Sequence, residues 1–182
     1  MSFEIRPIKQ SELGEFNRIV QTVFAAGPNM NVTMPSEWTL CGFEDGTMTT
    51  SYAYWPVTLL LNGAPVPVAG ITMVGTLPFY RRKNYLRQVT KRSFELLHEQ
   101  GKRPVSALFA SRTAIYQRYG YAVVTSRDSY QIDPRDIQLL HAPEGGGVMH
   151  EAGDAGDELL LDLYHRFITG RNGYLRREGD YF

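Results

Sequence analysis

Residues 74–87 read Val74-Gly75-Thr76-Leu77-Pro78-Phe79-Tyr80-Arg81-Arg82-Lys83-Asn84-Tyr85-Leu86-Arg87. The apolar start indicates a buried strand that ends at Pro78, and a helix is predicted to begin at about Asn84 and to continue to Gln100. The N-terminus of a helix presents unpaired N–H groups and a partial positive charge, which suit a phosphate or pyrophosphate. Basic side chains surround that point, although the helix dipole favours acidic ones there. The stretch therefore indicates either an anion-binding turn or an ordinary solvated basic face.

Strands and helices alternate on both sides of that stretch. The sequence predicts, in order, a strand over Phe3–Pro7, an amphipathic helix over Ser11–Ala26, a loop over 27–47, strands over Thr49–Trp55, Val57–Leu61 and Pro65–Val74, the helix over Asn84–Gln100, a strand over Val105–Phe109, a short helix over Ser111–Tyr119 and a strand over Ala122–Ile132. Asn62-Gly63 indicates a two-residue hairpin turn, because both positions tolerate a positive φ. This order predicts a mixed α/β sheet flanked by helices.

The composition is that of a globular protein and excludes several other classes. The 182 residues contain 19 basic and 19 acidic residues, so the net charge is zero and bulk electrostatic coating of nucleic acid is not expected. Cys41 is the only cysteine and the four histidines have no metal-ligand spacing, so neither a disulfide nor a metal site is predicted. No apolar run approaches the ~18 residues of a membrane span, and a cytoplasmic protein is the default expectation.

The chain changes character after Ile132. Between Asp136 and His165 there is no Lys or Arg, while acidic residues accumulate around three consecutive glycines. We predict one domain over 1–132, an acidic, glycine-rich connector over 133–158, and a helix in 159–182 that packs on the first domain or opens a second one.

A second motif follows the first after about thirty residues. It consists of Ala110-Ser111 and then Ile115-Tyr116-Gln117-Arg118-Tyr119-Gly120-Tyr121. Together the two motifs resemble the GNAT family of acetyl-CoA-dependent N-acyltransferases, and within it the enhanced-intracellular-survival (Eis) branch. In that branch the turn reads P-x-x-R-R-x-G-x-L-R and the later block reads A-S-x-x-x-I-Y-x-R-[FY]-G-Y. The resemblance covers most of residues 1–132 and implies a mixed, mostly antiparallel central sheet, splayed to admit the cofactor and flanked by helices.

The resemblance also implies a site for acetyl-CoA as co-substrate. By similarity, the cofactor-binding residues are Val74 and Thr76, whose backbone would pair with the pantetheine arm, then Arg81, Arg82, Lys83, Asn84, Tyr85, Leu86 and Arg87 around the pyrophosphate, and Ser111. Tyr116 would be the general acid that protonates the leaving thiolate; without the resemblance it is an ordinary core or rim aromatic residue. Asn84 stands where the family has glycine, and asparagine tolerates the left-handed conformation better than other side chains do.

The acceptor implied by the resemblance is a primary amine, either a small cationic molecule of aminoglycoside or polyamine type or a lysine side chain. Trp38 and Trp55 are candidate substrate-binding residues, since aromatic walls suit a cationic amine, and ordinary sheet packing is the alternative. The general base is not identified; Glu37, Glu44 and Asp45 are candidates only by charge and rough position.

Two other functions compete with this one. A GNAT-like domain that has lost turnover would serve as a CoA-binding or assembly module. A nucleic-acid-binding domain would use the basic face between Arg81 and Arg92, but no motif supports it, and neither a nucleic acid nor a membrane is predicted as a partner. A homo-oligomer is compatible with the resemblance. The end of the chain resembles the start of a second GNAT-like domain, so we expect either a fragment of a longer protein or a naturally short relative.

Overall fold

The described part of the chain forms one sheet of six strands with helices packed on it. The structure is a computed structural model and describes residues 2–27, 29–138, 140–141, 145 and 156–178. The strands are β1 (Phe3–Arg6), β2 (Cys41–Glu44), β3 (Thr47–Leu61), β4 (Ala64–Thr76), β5 (Val105–Ala107) and β6 (Tyr174–Leu175). The helices are α1 (Leu13–Phe24), α2 (Tyr85–Gln100), α3 (Thr113–Gln117) and α4 (Gly156–Ile168).

The sheet is mixed and mostly antiparallel, as predicted. Its order is β1-β2-β3-β4-β5; only β4 and β5 run parallel, and β6 pairs with the far end of β3. Asn62 and Gly63 join β3 to β4 with φ values of 51° and 81°, which confirms the predicted hairpin turn. The prediction of two separate strands before this turn is wrong. Pro56 lies within β3 where neither β2 nor β6 pairs with it, so the missing N–H interrupts no ladder on that edge.

Two apolar clusters hold the long helices against the sheet. Ala53 of β3 packs in a cluster with Phe16 and Ile19 of α1. The adjacent Tyr52 packs in the other cluster, with Val89 of α2. Successive residues of a strand point to opposite faces, so α1 and α2 cover opposite faces of the sheet.

β4 and β5 pair over three residues and then diverge. Val68–Gly70 lie beside Val105–Ala107, and β4 continues to Thr76 with no further β5 partner among the described residues. The edge of β4 over residues 71–76 is therefore open on that side. An open strand edge can bind an extended ligand through main-chain hydrogen bonds.

The predicted strand over Ala122–Ile132 is not observed. This segment runs without a sheet partner, and Val123, Val124 and Tyr130 are 60%, 92% and 84% exposed. A strand needs a partner and a surface beneath its apolar face, and β5 is too short to offer either over this length. The strand predicted over Val105–Phe109 is observed only over Val105–Ala107, the three residues that pair with β4.

The predicted loop over 27–47 contains β2, which the sequence analysis missed. Its four residues, Cys41–Glu44, are all buried between β1 and β3. A strand that is both short and buried on both faces shows no alternation of polar and apolar residues, so it has no periodic signal. Gly42 fits there because a Cβ would lie 2.5 Å from the Phe3 ring.

The helix predicted in 159–182 is observed as α4, and β6 follows it. The Tyr164 hydroxyl donates to the Leu175 carbonyl at 2.6 Å, and β6 pairs with Leu59 and Leu60 of β3. Most of the connector predicted over 133–158 lies outside the described residues, so the division into domains stays a prediction. None of the described helices is both long and apolar enough to cross a membrane.

Candidate active site

An open cavity of about 1100 Å³ lies beside the free end of β4. Its walls come from β4, from the turn before α2, from the first residues of α2 and from α3. The predicted site residues that line it are Val74, Thr76, Arg81, Arg82, Asn84, Tyr85, Leu86, Arg87, Ser111 and Tyr116. Three others, Lys83, Trp38 and Trp55, lie outside its lining.

A bulge in β4 shapes the strand side of the cavity. Two residues of β4 lie between Thr72 and Gly75, where β3 has only Tyr52 between their partners. One of the two, Met73, has a φ of 53°, a left-handed conformation that is uncommon for a residue with a long side chain. The bulge changes the direction of β4 just before the residues that line the cavity. The bulge was not predicted, because it depends on tertiary contacts that leave no local pattern in the sequence.

Helix α1 also contributes a wall, which the sequence analysis did not foresee. Val23 lines the cavity and lies directly over Gly75. A Cβ at Gly75 would lie 2.5 Å from a methyl carbon of Val23, closer than side chains approach one another. The glycine thus allows α1 to approach β4 at the cavity wall.

The turn before α2 has the backbone conformation expected of an anion-binding turn. A short 3₁₀ turn over Pro78–Tyr80 leads into it, and Arg82 and Asn84 have φ values of 66° and 67°. Asn84 precedes the first residue of α2, and its carbonyl accepts from the Gln88 N–H at 3.2 Å. The first N–H groups of a helix have no partner within the helix, so those at the start of α2 are available to a ligand. The left-handed conformation expected for Asn84 is therefore present.

Arginines surround this turn without acidic partners. Arg82 and Arg87 line the cavity from the α2 side, and Arg112 and Arg118 line it from α3. Within the described ranges, none of the four forms an ion pair with a carboxylate. Uncompensated cations around one cavity attract a polyanion. Arg112 and Arg118 were missed, although their positions on either side of Tyr116 could have indicated them.

Lys83 points away from the cavity and towards Glu44 of β2. Its ammonium lies 2.8 Å and 3.0 Å from the two carboxylate oxygens, and the Tyr85 hydroxyl donates to the same carboxylate. The Lys83 hydrogen bond, with that of Tyr85, holds the pKa of Glu44 below its ordinary value. The hydrogen bond to Glu44 raises the pKa of the Tyr85 hydroxyl to about 12. The structure thus places Lys83 apart from the other predicted cofactor residues.

None of the three candidate bases lines the cavity. Glu44 is bound to Lys83 and Tyr85, and Asp45 accepts from the backbone N–H of Ser2 at 2.8 Å. Glu37 is exposed. Within the described residues there is also no group of His, Cys, Asp and Glu side chains placed to hold a metal ion.

Tyr116 lies on α3 and lines the cavity. Its side chain is half-buried, and its ring packs edge-on against Tyr121 with centroids 5.9 Å apart. Burial, and secondarily the neighbouring Tyr119, raises the pKa of the Tyr116 phenol above its usual value. The hydroxyl is therefore protonated at neutral pH and can donate a proton.

Trp38 and Trp55 form an edge-to-face pair with ring centroids 5.3 Å apart. Both are partly buried against the cluster on the α1 face, as is Met73 of the β4 bulge. The two rings therefore pack on the core and lie outside the cavity lining.

Comparisons with known proteins agree with this fold. The family model of the acetyltransferase (GNAT) domain matches residues 4–124. An uncharacterized N-acetyltransferase of Streptomyces avermitilis is 31% identical over 138 residues, which are 74% of this chain and 34% of that protein. The N-acetyltransferase Eis of Mycobacterium bovis is 32% identical over 114 residues, 62% of this chain and 27% of that protein. Among solved structures, Eis1 from Mycobacterium abscessus superposes with a TM-score of 0.78 at 24% identity, over 97% of this chain and 45% of that one.

The chain spans at most about a third of the length of these curated relatives. The family model covers well over half of the chain, and the likeness to Eis proteins confirms the resemblance inferred from the two motifs. The chain therefore belongs to the acetyltransferase (GNAT) family and is similar to its Eis-like members.

Proposed function

We propose that this chain carries an acetyl-CoA-dependent N-acetyltransferase site, with Tyr116 as the general acid and a primary amine as the acceptor. One observation carries the proposal. The open start of α2 and the half-buried phenol of Tyr116, about thirty residues apart in sequence, line the same cavity.

The cavity suits the charge and the length of acetyl-CoA. The N–H groups at the start of α2, with Arg82 and Arg87, would hold the pyrophosphate. The open edge of β4 from Val74 to Thr76 would pair with the amides of the pantetheine arm. A volume of about 1100 Å³ is slightly above the usual range of about 300–1000 Å³ for small-molecule sites, which agrees with a long ligand.

The reaction joins the amine nitrogen to the acetyl carbonyl carbon and breaks the carbon–sulfur bond of the thioester. The amine loses a proton and the CoA sulfur gains one. Tyr116 would donate the proton that the CoA sulfur gains. Burial keeps the Tyr116 hydroxyl protonated and so able to donate. No carboxylate lines the described cavity, so we propose that water removes the proton from the amine.

The acceptor is proposed to be a small cationic amine of aminoglycoside or polyamine type, or a lysine side chain. Trp38 and Trp55 would contact it; the two rings pack edge-on against each other, on the same apolar cluster as Met73 of the β4 bulge. Aromatic faces stabilise a nearby cation by cation–π interaction.

A thermal melt with and without acetyl-CoA tests the cofactor site. A ligand at 100 times its dissociation constant adds about 2.7 kcal/mol, which should raise the midpoint by roughly 5–10 °C for a chain of this size. Release of free thiol from acetyl-CoA, in the presence of a panel of amines, then tests acetyl transfer. Absence of both the shift and the thiol release contradicts the proposal.

The alternative is a CoA-binding module without turnover. Asn84 at the position of the family glycine favours it, whereas Tyr116 disfavours it. This alternative predicts a thermal shift with CoA but no thiol release from acetyl-CoA with any amine.

A further inference from the structure

The turn before α2 is bound by the carboxylate of Glu44, a group that the proposed chemistry does not use. Arg82 and Asn84 line the cavity, whereas Lys83, between them, extends to Glu44. The hydroxyl of Tyr85, the next residue, donates to the same carboxylate. Two residues of the turn are thus fixed to β2 by one acceptor.

The backbone of this turn is strained. Arg82 and Asn84 both have left-handed φ values near 66°, and neither is glycine. The left-handed conformation is unfavourable for an ordinary side chain and less so for asparagine. This turn carries two such residues, separated only by Lys83. It therefore needs support from its surroundings to keep its conformation.

Glu44 is well placed to give that support. Its side chain is only 10% exposed, and it accepts two short hydrogen bonds from the Lys83 ammonium. Tyr85, its other donor, is buried and stacks on Phe3 with ring centroids 3.9 Å apart. Hydrogen bonds to a charged group in a buried place are stronger than neutral ones. The carboxylate therefore connects the turn to β1 and β2 without itself lining the cavity.

We propose that Glu44 is a positioning residue: by binding Lys83 and Tyr85 it holds the turn in the conformation that receives the pyrophosphate, and it replaces the conformational freedom of the family's turn glycine. The inference deepens the proposed function, since the use of the turn for acetyl-CoA rests on it. It assigns Lys83 to the support of the turn, without contact to the cofactor.

A double-mutant cycle between Glu44 and Asn84 tests this role. Glu44→Gln keeps the shape of the side chain but removes the charge, and we expect the KM for acetyl-CoA to rise about tenfold, the effect of one charge-assisted hydrogen bond, with kcat within about twofold of wild type. Asn84→Gly relieves the strain and is the other single variant of the cycle. In the Glu44→Gln background it should restore most of the lost affinity.

A matched control separates positioning from general stability. Arg92→Gln removes an exposed ion pair of the same helix, with Glu95 and Glu99, and should leave KM unchanged. Acetyl-pantetheine lacks the pyrophosphate, so its turnover should be equal for wild type and Glu44→Gln. A loss shared by both acyl donors, or a loss that Asn84→Gly does not reverse, overturns the inference.

Amide hydrogen exchange without ligand gives a readout that does not depend on acetyl transfer. Glu44→Gln should speed exchange in a peptide that covers residues 80–88, and Asn84→Gly should slow it again in that background. Unchanged exchange overturns the inference even if the chain is an active acetyltransferase. If Glu44→Gln tightens acetyl-CoA binding, Glu44 instead withholds Lys83 from the cofactor, and the positioning role is wrong.

Discussion

At Gly75 the helix α1 comes so close to β4 that a methyl group has no space. We expect Gly75→Ala to lower stability by about 1–3 kcal/mol, because the new Cβ must displace Val23. Val23→Ala in the same chain should recover part of the loss. Gly14→Ala is the control, since Gly14 lies in α1 with nothing within 4 Å of the added carbon and the change should stabilise the helix slightly. Thermal melts of wild type and the three variants measure the effect; equal midpoints for wild type and Gly75→Ala would contradict it.

Tyr116 should affect turnover and leave cofactor binding alone. We expect Tyr116→Phe to lower kcat about 100-fold or more, with the KM for acetyl-CoA within about twofold, because the ring stays and the proton donor is lost. Burial raises the phenol pKa, so the general acid stays protonated through neutral pH and wild-type turnover should lose this group only in strongly alkaline solution. Tyr130→Phe, at an exposed site, is the control. A parallel fall in kcat and in acetyl-CoA affinity would assign Tyr116 a structural role instead.

At this scale the sequence predicted side chains better than it predicted backbone geometry. The arginines of the turn and Tyr116 were identified because a motif names residue types. Met73 and Val23 were missed because a bulge and a close helix approach depend on tertiary contacts that leave no local pattern. Lys83 belongs to the same basic run as its neighbours, yet a carboxylate more than thirty residues earlier decides where it points.

Between β1 and α1, an ion pair fixes the angle at which the first helix begins. Arg6 binds both oxygens of Glu12 at 2.8 Å, and the same carboxylate accepts from the Lys9 N–H at 2.7 Å. The Arg6 guanidinium also lies 3.7 Å from the Phe43 ring centroid. One carboxylate thus closes the turn before α1 and attaches it to the sheet.

This ion pair predicts a loss of stability in acid. The Arg6 hydrogen bonds lower the pKa of Glu12 from 4.5 to about 2. Because the folded pKa is depressed, the stabilisation is fully present above pH 4.5 and is lost as the pH falls towards 2. Glu12→Gln should therefore have a lower midpoint at neutral pH and a smaller further drop between pH 4.5 and 2. Glu4→Gln, on a more exposed partner of Arg6, is the control, and identical acid profiles for wild type and Glu12→Gln would contradict the prediction.

Elements with local signals were predicted and those that depend on distant partners were not. The α1 helix has a complete apolar stripe, and the β3–β4 hairpin has its Asn-Gly turn, so both were predicted. β2 has no alternation because both of its faces are buried. The segment after Tyr121 alternates well enough for a strand, but the described residues give it no partner.

Over the whole molecule, equal numbers of acidic and basic residues conceal a strongly positive cavity. We expect acetyl-CoA affinity to fall steadily with salt although the net charge is zero, because the arginines of α2 and α3 act locally and added ions screen them. Arg118→Gln should weaken binding and flatten the salt dependence, while Arg92→Gln, paired with glutamates on α2, should change neither. Dissociation constants at three salt concentrations measure this; a slope unaffected by Arg118→Gln would remove α3 from the anion site.

The parallel contact between β4 and β5 has a consequence for the order in which the chain folds. The β3–β4 hairpin closes through two residues, so its ends meet at little cost in chain entropy. The β4–β5 pair joins segments separated by the whole of α2 and can only form after a much longer loop has closed. The β3–β4 hairpin should therefore form before β5 pairs with β4. The cavity, which depends on the divergence of β4 and β5, should form last. A molecule caught late in refolding would then have its sheet and α1 in place but no capacity to take up coenzyme.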